Sequence, residues 1–148
     1  MKVGEGNRDM STVKSKRRVS LLKAEVLAVE LLKKTIDVCS SKNNFPIRKK
    51  WAIPSDLYLE AREFCVDLCL ANDIKVEDRR TAMERLKLGD EAKMHIERYI
   101  KLNNIAVLAY PIGESTIDSW LSLMNEAYEM FNKWRSADAV RYREYMEG

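Results

Sequence analysis

Four stretches of this chain place apolar side chains at three- and four-residue steps, and no segment sustains period-two alternation. The cleanest stretch runs Ile117, Trp120, Met124, Ala127, Phe131 and Trp134, with Leu121 and Tyr128 beside it. A helix turns once in about 3.6 residues, so these steps stack the large side chains along one face. A strand would send alternate residues to opposite faces. The pattern therefore commits the chain to helices that must bury one side against each other.

The other three stretches repeat the theme. Ala24, Leu27, Ala28, Leu31, Thr35 and Val38 form one stripe, flanked by Leu22, Val26, Val29, Leu32, Ile36 and Cys39. A stripe that wide is expected of a helix over 19–40 packing against two neighbours. Leu57, Ala61, Phe64, Leu68 and Ala71 make the next helix. The longest follows from Ala82 through Leu86, Ala92, Ile96, Tyr99, Asn103 and Ala106 to Tyr110, widened by residues such as Met83, Met94, Ile105 and Leu108. Gly89 weakens it locally, by up to ~1 kcal/mol relative to Ala.

The breaks between stripes are short. "SSKNN" (Ser41 to Asn44 with Ser40 before it) ends the first helix, because short polar side chains compete for its backbone. Pro54 suits the first turn of the second, where a missing N–H costs nothing, and Ser55 and Asp56 suit the positive helix end. A start just after Pro46 would instead place Pro54 inside the helix, at about 3 kcal/mol or a kink. "ANDIKVEDRR" and "YPIGEST" are the remaining breakers, and Ser115 with Asp118 reads as an N-cap and its acidic partner. The expected fold is all-α: an antiparallel up-down four-helix bundle over 19–140, with short loops. A flexible basic arm over 1–18 precedes it, and a charged end over 141–148 follows, fraying beyond Ala137.

Charge is unevenly placed. Residues 1–53 hold 13 Lys/Arg against 5 Asp/Glu, a net +8, while residues 54–148 hold 13 against 18, a net −5. A basic end above an acidic body suits a polyanionic partner. Lys14, Lys16, Arg17 and Arg18 lie in the arm, and Arg48, Lys49 and Lys50 lie in the connector "FPIRKKWAIPSDLYLEA". The connector's cations have no local structural task, which makes them the leading candidates for phosphate contact. Trp51 and Trp134 are candidates for stacking on an unpaired base or for packing.

Chemistry is poorly provided for. His95 is the only histidine and sits mid-helix without a nucleophile or ligand at helical spacing. Cys39, Cys65 and Cys69 are an odd set; the latter two share a helix face, but a tetrahedral metal site wants four ligands. They read as free thiols. Glu60 and Glu63 beside Arg62 read as a salt-bridged surface. No phosphate loop, zinc motif or nucleophile elbow is present, so the expectation is a protein that is not an enzyme, with no metal and no cofactor. No apolar run reaches the ~18–20 residues of a membrane span. The opening "MKVGEGNRDM" lacks an apolar signal core, and the expected location is cytoplasmic.

The stretch "FPIRKKWAIPSDLYLEAREFCVDLCLAND" (Phe45 to Asp73) resembles the accessory proteins of diversity-generating retroelements, the Avd family. The likeness lies in Phe45-Pro46, a basic and aromatic run, and an apolar helix closing on Ala71-Asn72-Asp73. It extends to "FNKWRSAD" (Phe131 to Asp138) and covers roughly residues 20–138. The intervening-sequence proteins of bacterial ribosomal RNA are broader relatives of that family. The resemblance implies a non-catalytic homopentamer that binds the retroelement reverse transcriptase and its structured template RNA during mutagenic copying. By position it puts Arg48, Lys49 and Lys50 on RNA. Pro54 and the first eighteen residues depart from the family pattern. The alternatives are a ribosomal-RNA-associated bundle of the intervening-sequence type and a pure protein-interaction bundle.

Overall fold

The computed structural model describes the backbone of residues 12–46 and 53–147, and side chains within those spans from residue 23 onward. Among the described residues the chain is all-helical, without a strand. The four long helices are α1 (Thr12–Ser40), α2 (Ile53–Asp73), α3 (Arg79–Ala109) and α4 (Glu114–Arg141), followed by the short α5 (Arg143–Glu147). No helix among the described residues is long and apolar enough to cross a membrane.

Each stripe became a helix because its breakers work as their chemistry dictates. α1 stops at Ser40, where the Asn44 amide donates to the Val38 carbonyl at 3.2 Å and the Phe45 N–H donates to the Ser41 carbonyl at 2.9 Å. α2 opens with Pro54 in its first turn and Asp56 against the positive end. α3 opens on a capping box: Asp78 accepts from the Thr81 N–H at 2.9 Å, and the Asp78 N–H donates to Thr81 Oγ1 at 3.1 Å. That bond to the Asp78 carboxylate lowers its pKa, because the ionised form is the better acceptor.

Three expected boundaries moved. α1 begins at Thr12 rather than Val19, since the run "KSKRR" is made of residues that sit well in a helix and holds no Gly or Pro to stop one. α4 is capped by the backbone of Gly113, whose carbonyl accepts from the Ile117 N–H at 3.0 Å. Ser115 and Asp118 stand exposed in its first turns, so the N-cap expected at Ser115 is not formed. At the other end, α4 does not fray beyond Ala137. It continues to Arg141 because Asp138 turns inward and is buried.

The core is one continuous cluster. α2 lies along α3, and α1 contacts both α2 and α4. Trp120, Tyr99, Phe45, Phe64 and Phe131 are its largest fully buried side chains. Phe45 closes one end by packing at a tilt of 59° against Tyr110, with ring centroids 4.5 Å apart, and Phe64 meets Phe131 edge-on at 5.2 Å. α1 buries only part of its second stripe: Cys39 lies in the core and Leu32 packs against it. Val26, Val29 and Ile36 are 43–50% exposed, as are Leu59, Val66 and Leu70 on the outward side of α2.

Candidate functional site

The basic residues expected to touch RNA do not form a described site. Arg48, Lys49, Lys50 and Trp51 lie outside the described residues, as do the side chains of Lys14, Lys16, Arg17 and Arg18, whose backbone is the start of α1. Trp134 is placed: it is 4% exposed, packed on Phe131 at 5.8 Å between centroids, and belongs to the core. It cannot offer a face to a base.

Three polar clusters come together instead. In the first, Arg85 of α3 reaches Asp138 of α4 with two parallel bonds, Nε to Oδ2 at 2.6 Å and Nη2 to Oδ1 at 2.9 Å. Its Nη1 donates to the carbonyls of Ala71 and Ile74 at 3.1 Å each. Ala71 lies in the last turn of α2, where its carbonyl also accepts from the Ile74 N–H at 3.2 Å, and Ile74 follows the helix, so one guanidinium caps α2 and ties it to α3 and α4. The cation lies 5.7 Å from the Trp134 ring and 5.3 Å from that of Tyr142.

In the second, the Tyr99 hydroxyl joins α1, α3 and α4. Trp120 Nε1 donates to it at 2.6 Å, and the Thr35 hydroxyl lies 2.6 Å away. Thr35 already donates to the Leu31 carbonyl, so Tyr99 supplies the proton of the Tyr99–Thr35 bond. Burial pushes the Tyr99 hydroxyl pKa up. One turn further along α3, Asn103 is fully buried, and neither its Oδ1 nor its Nδ2 has a hydrogen-bond partner.

In the third, His95 is partly buried on the side of α3 that meets α2: its Nδ1 lies 2.8 Å from Glu60 Oε2 and its Nε2 3.6 Å from Asp67 Oδ2. A carboxylate only accepts, so the tautomer that makes this contact a hydrogen bond is the one with the proton on Nδ1. Burial raises the Asp67 pKa, with His95 opposing and Glu91 and Glu63 adding to the rise. Glu60 and Asp67 therefore serve the α2–α3 seam; of the salt-bridged surface expected of Glu60 and Glu63 beside Arg62, the Arg62–Glu63 pair forms, at 2.9 Å, and Glu60 turns to His95 instead. Among the described residues, no group of three or more His, Cys, Asp or Glu could hold a metal ion. Cys39 and Cys65 are buried and Cys69 is half-buried, none of the three in a disulfide. Burial, with the neighbouring Cys65, pushes the Cys69 thiol up to about 11.

The surface is also concave between α3 and α4. A groove of about 760 Å³ runs between α3 and α4, with Met94, Ile100 and Tyr128 among its lining and Lys93, Arg98 and Lys101 around it. Asp90 and Glu97 also line it, but Asp90 is ion-paired with Arg135, and Glu97 accepts from the Tyr128 hydroxyl at 3.2 Å.

No family model matches the chain, and neither the curated proteins nor the solved structures provide a match.

The residues that sequence reasoning passed over are Arg85 and Asp138. Both lay on the apolar stripes: Arg85 three after Ala82, Asp138 four after Trp134. Two opposite charges, each in register with a buried face, were the available signal.

Proposed function

We propose that this chain is a non-catalytic, oligomeric adaptor of the Avd type, binding a retroelement reverse transcriptase and its structured template RNA in the cytoplasm. The observation that carries the reading is the resemblance of Phe45 to Asp73 and of Phe131 to Asp138, on a chain of four long helices. The described residues of those two stretches hold helices together. The Ala71 carbonyl accepts from Arg85, Asn72 donates to Glu25 of α1 at 2.8 Å, and Asp138 binds Arg85. Pairings of Ala71 with Arg85, and of Glu60 with His95, support an antiparallel α2–α3 pair and with it an up-down four-helix bundle.

The outward apolar stripes of α1 and α2 support assembly, because a solvent-facing row of Val, Ile and Leu gains by meeting another surface. A homopentamer is the state implied by the resemblance. Assembly would also bring the Arg48, Lys49 and Lys50 triplets of several subunits together, multiplying weak phosphate contacts.

Native mass spectrometry of the full chain with and without structured RNA tests this. The reading expects an oligomer that retains RNA, and loss of that RNA in Arg48→Ala/Lys49→Ala/Lys50→Ala with helicity intact. A strict monomer would overturn it. A pure protein-interaction bundle is the second reading, favoured by the same apolar stripes. It expects capture of the reverse transcriptase with no RNA binding at low salt.

A further inference from the structure

The α3–α4 groove has a composition that the loop cations do not share. We propose that it holds one unpaired nucleotide of a single strand, the base against Met94, Ile100 and Tyr128 and the phosphates on Lys93, Arg98 and Lys101. The proposal rests on the reading of this chain as an RNA-binding protein and adds a second, separate contact.

Three observations point there. The groove's acids are engaged within the chain, Asp90 by Arg135 and Glu97 by Tyr128. Lys93, Arg98 and Lys101 have no carboxylate partner among the described residues, so their charge faces whatever enters. The groove's size, about 760 Å³, lies within the ~300–1,000 Å³ of small-ligand sites.

The chemistry fits a single strand better than a duplex. A base can lie on an apolar and aromatic wall only when its face is free, and stacking of that kind tolerates any base. Arg98 and Lys101 are three apart on one helix, with Cβ atoms about 5–6 Å from each other, so both can reach one stretch of backbone. Lys93 lies about 12 Å further along α3 from Lys101. Arg135, held by Asp90, borders the groove on the α4 side.

The test uses the full-length chain and a labelled unpaired oligouridylate, with a hairpin duplex of the same length as comparison. Binding is followed by anisotropy across a salt series. Arg98→Ala/Lys101→Ala should weaken single-strand binding about tenfold and reduce the steepness of the log–log salt plot by about 1.4. Tyr128→Ala should weaken it also, while Tyr128→Phe, which keeps the ring but releases Glu97, should lose less than Tyr128→Ala. Circular dichroism checks that each variant is folded.

If these variants bind as the wild type does while Arg48→Ala/Lys49→Ala/Lys50→Ala loses RNA, the groove site is overturned and the RNA reading stands. Equal loss of duplex and single strand in the groove variants also overturns it, since a merely basic surface would behave so. A wild-type chain that binds no RNA at low salt overturns both.

Discussion

Arg85 and Asn103 occupy the same face of α3, five turns apart, and are treated oppositely by the core around them. Arg85 makes four hydrogen bonds, to Asp138 and to the carbonyls of Ala71 and Ile74 at the end of α2, and lies near two aromatic rings. Asn103 is as deeply buried and makes none. A buried charge without a partner is far costlier than a neutral amide without one, so the core is built around the first and merely tolerates the second. Between them, Tyr99 shows the intermediate case, a neutral hydroxyl with two partners on two other helices.

The largest expected effect breaks the Arg85 side of that contrast. Asp138→Ala leaves a buried guanidinium short of its anion and should cost about 3–5 kcal/mol, read as a fall in the urea midpoint. Arg85→Met/Asp138→Leu should recover most of that loss, because an apolar pair carries no unmatched charge. A double variant as unstable as the single one would show that the α2 carbonyls, not the ion pair, dominate.

Tyr99→Phe comes next. It strands the Trp120 N–H in the core and should cost about 1–3 kcal/mol by thermal or urea unfolding. Asn103→Leu then tests the opposite side: replacing an unpartnered amide with apolar atoms of similar branching should raise stability by about 1 kcal/mol. A loss of the same size would mean that the amide is satisfied after all.

Gly89 sharpens the comparison near Arg85. A Cβ built there meets Trp134 at 3.7 Å, an ordinary contact, so Gly89→Ala should gain about 0.5–1 kcal/mol from helix propensity alone. A loss would show that the Trp134 ring covering Arg85 cannot yield.

The smallest effect is alkaline. The Cys69 thiol titrates near 9.0 when unfolded and at about 11 when folded, so the unfolded chain releases its proton first. Between those values the folded state holds more protons, and stability falls as pH rises. The urea midpoint of Cys69→Ala should therefore decline less steeply over that window than that of the wild type.

Helix identity was legible because spacing and breakers agree. Ala82, Ala92, Ile96, Tyr99, Asn103 and Ala106 were placed on the buried face of α3 and are there. Leu86 was placed there too, but the face passes through Arg85 and Gly89, which hydropathy excludes. Such exchanges are decided by a partner far along the chain, here Asp138, and no local pattern reports it. The same limit hid Glu60 and Asp67, whose reason for burial is His95 on another helix. Val26, Val29 and Ile36 erred the other way, as apolar spacing predicts a covered face without saying which molecule covers it.

The most direct test of the functional account is the salt dependence of RNA affinity for the full chain, wild type against Arg48→Ala/Lys49→Ala/Lys50→Ala. The account predicts wild-type affinity that falls linearly on log–log axes as salt rises, and a clearly shallower slope for the variant. Wild-type affinity that ignores salt, or identical slopes for the two proteins, would contradict it.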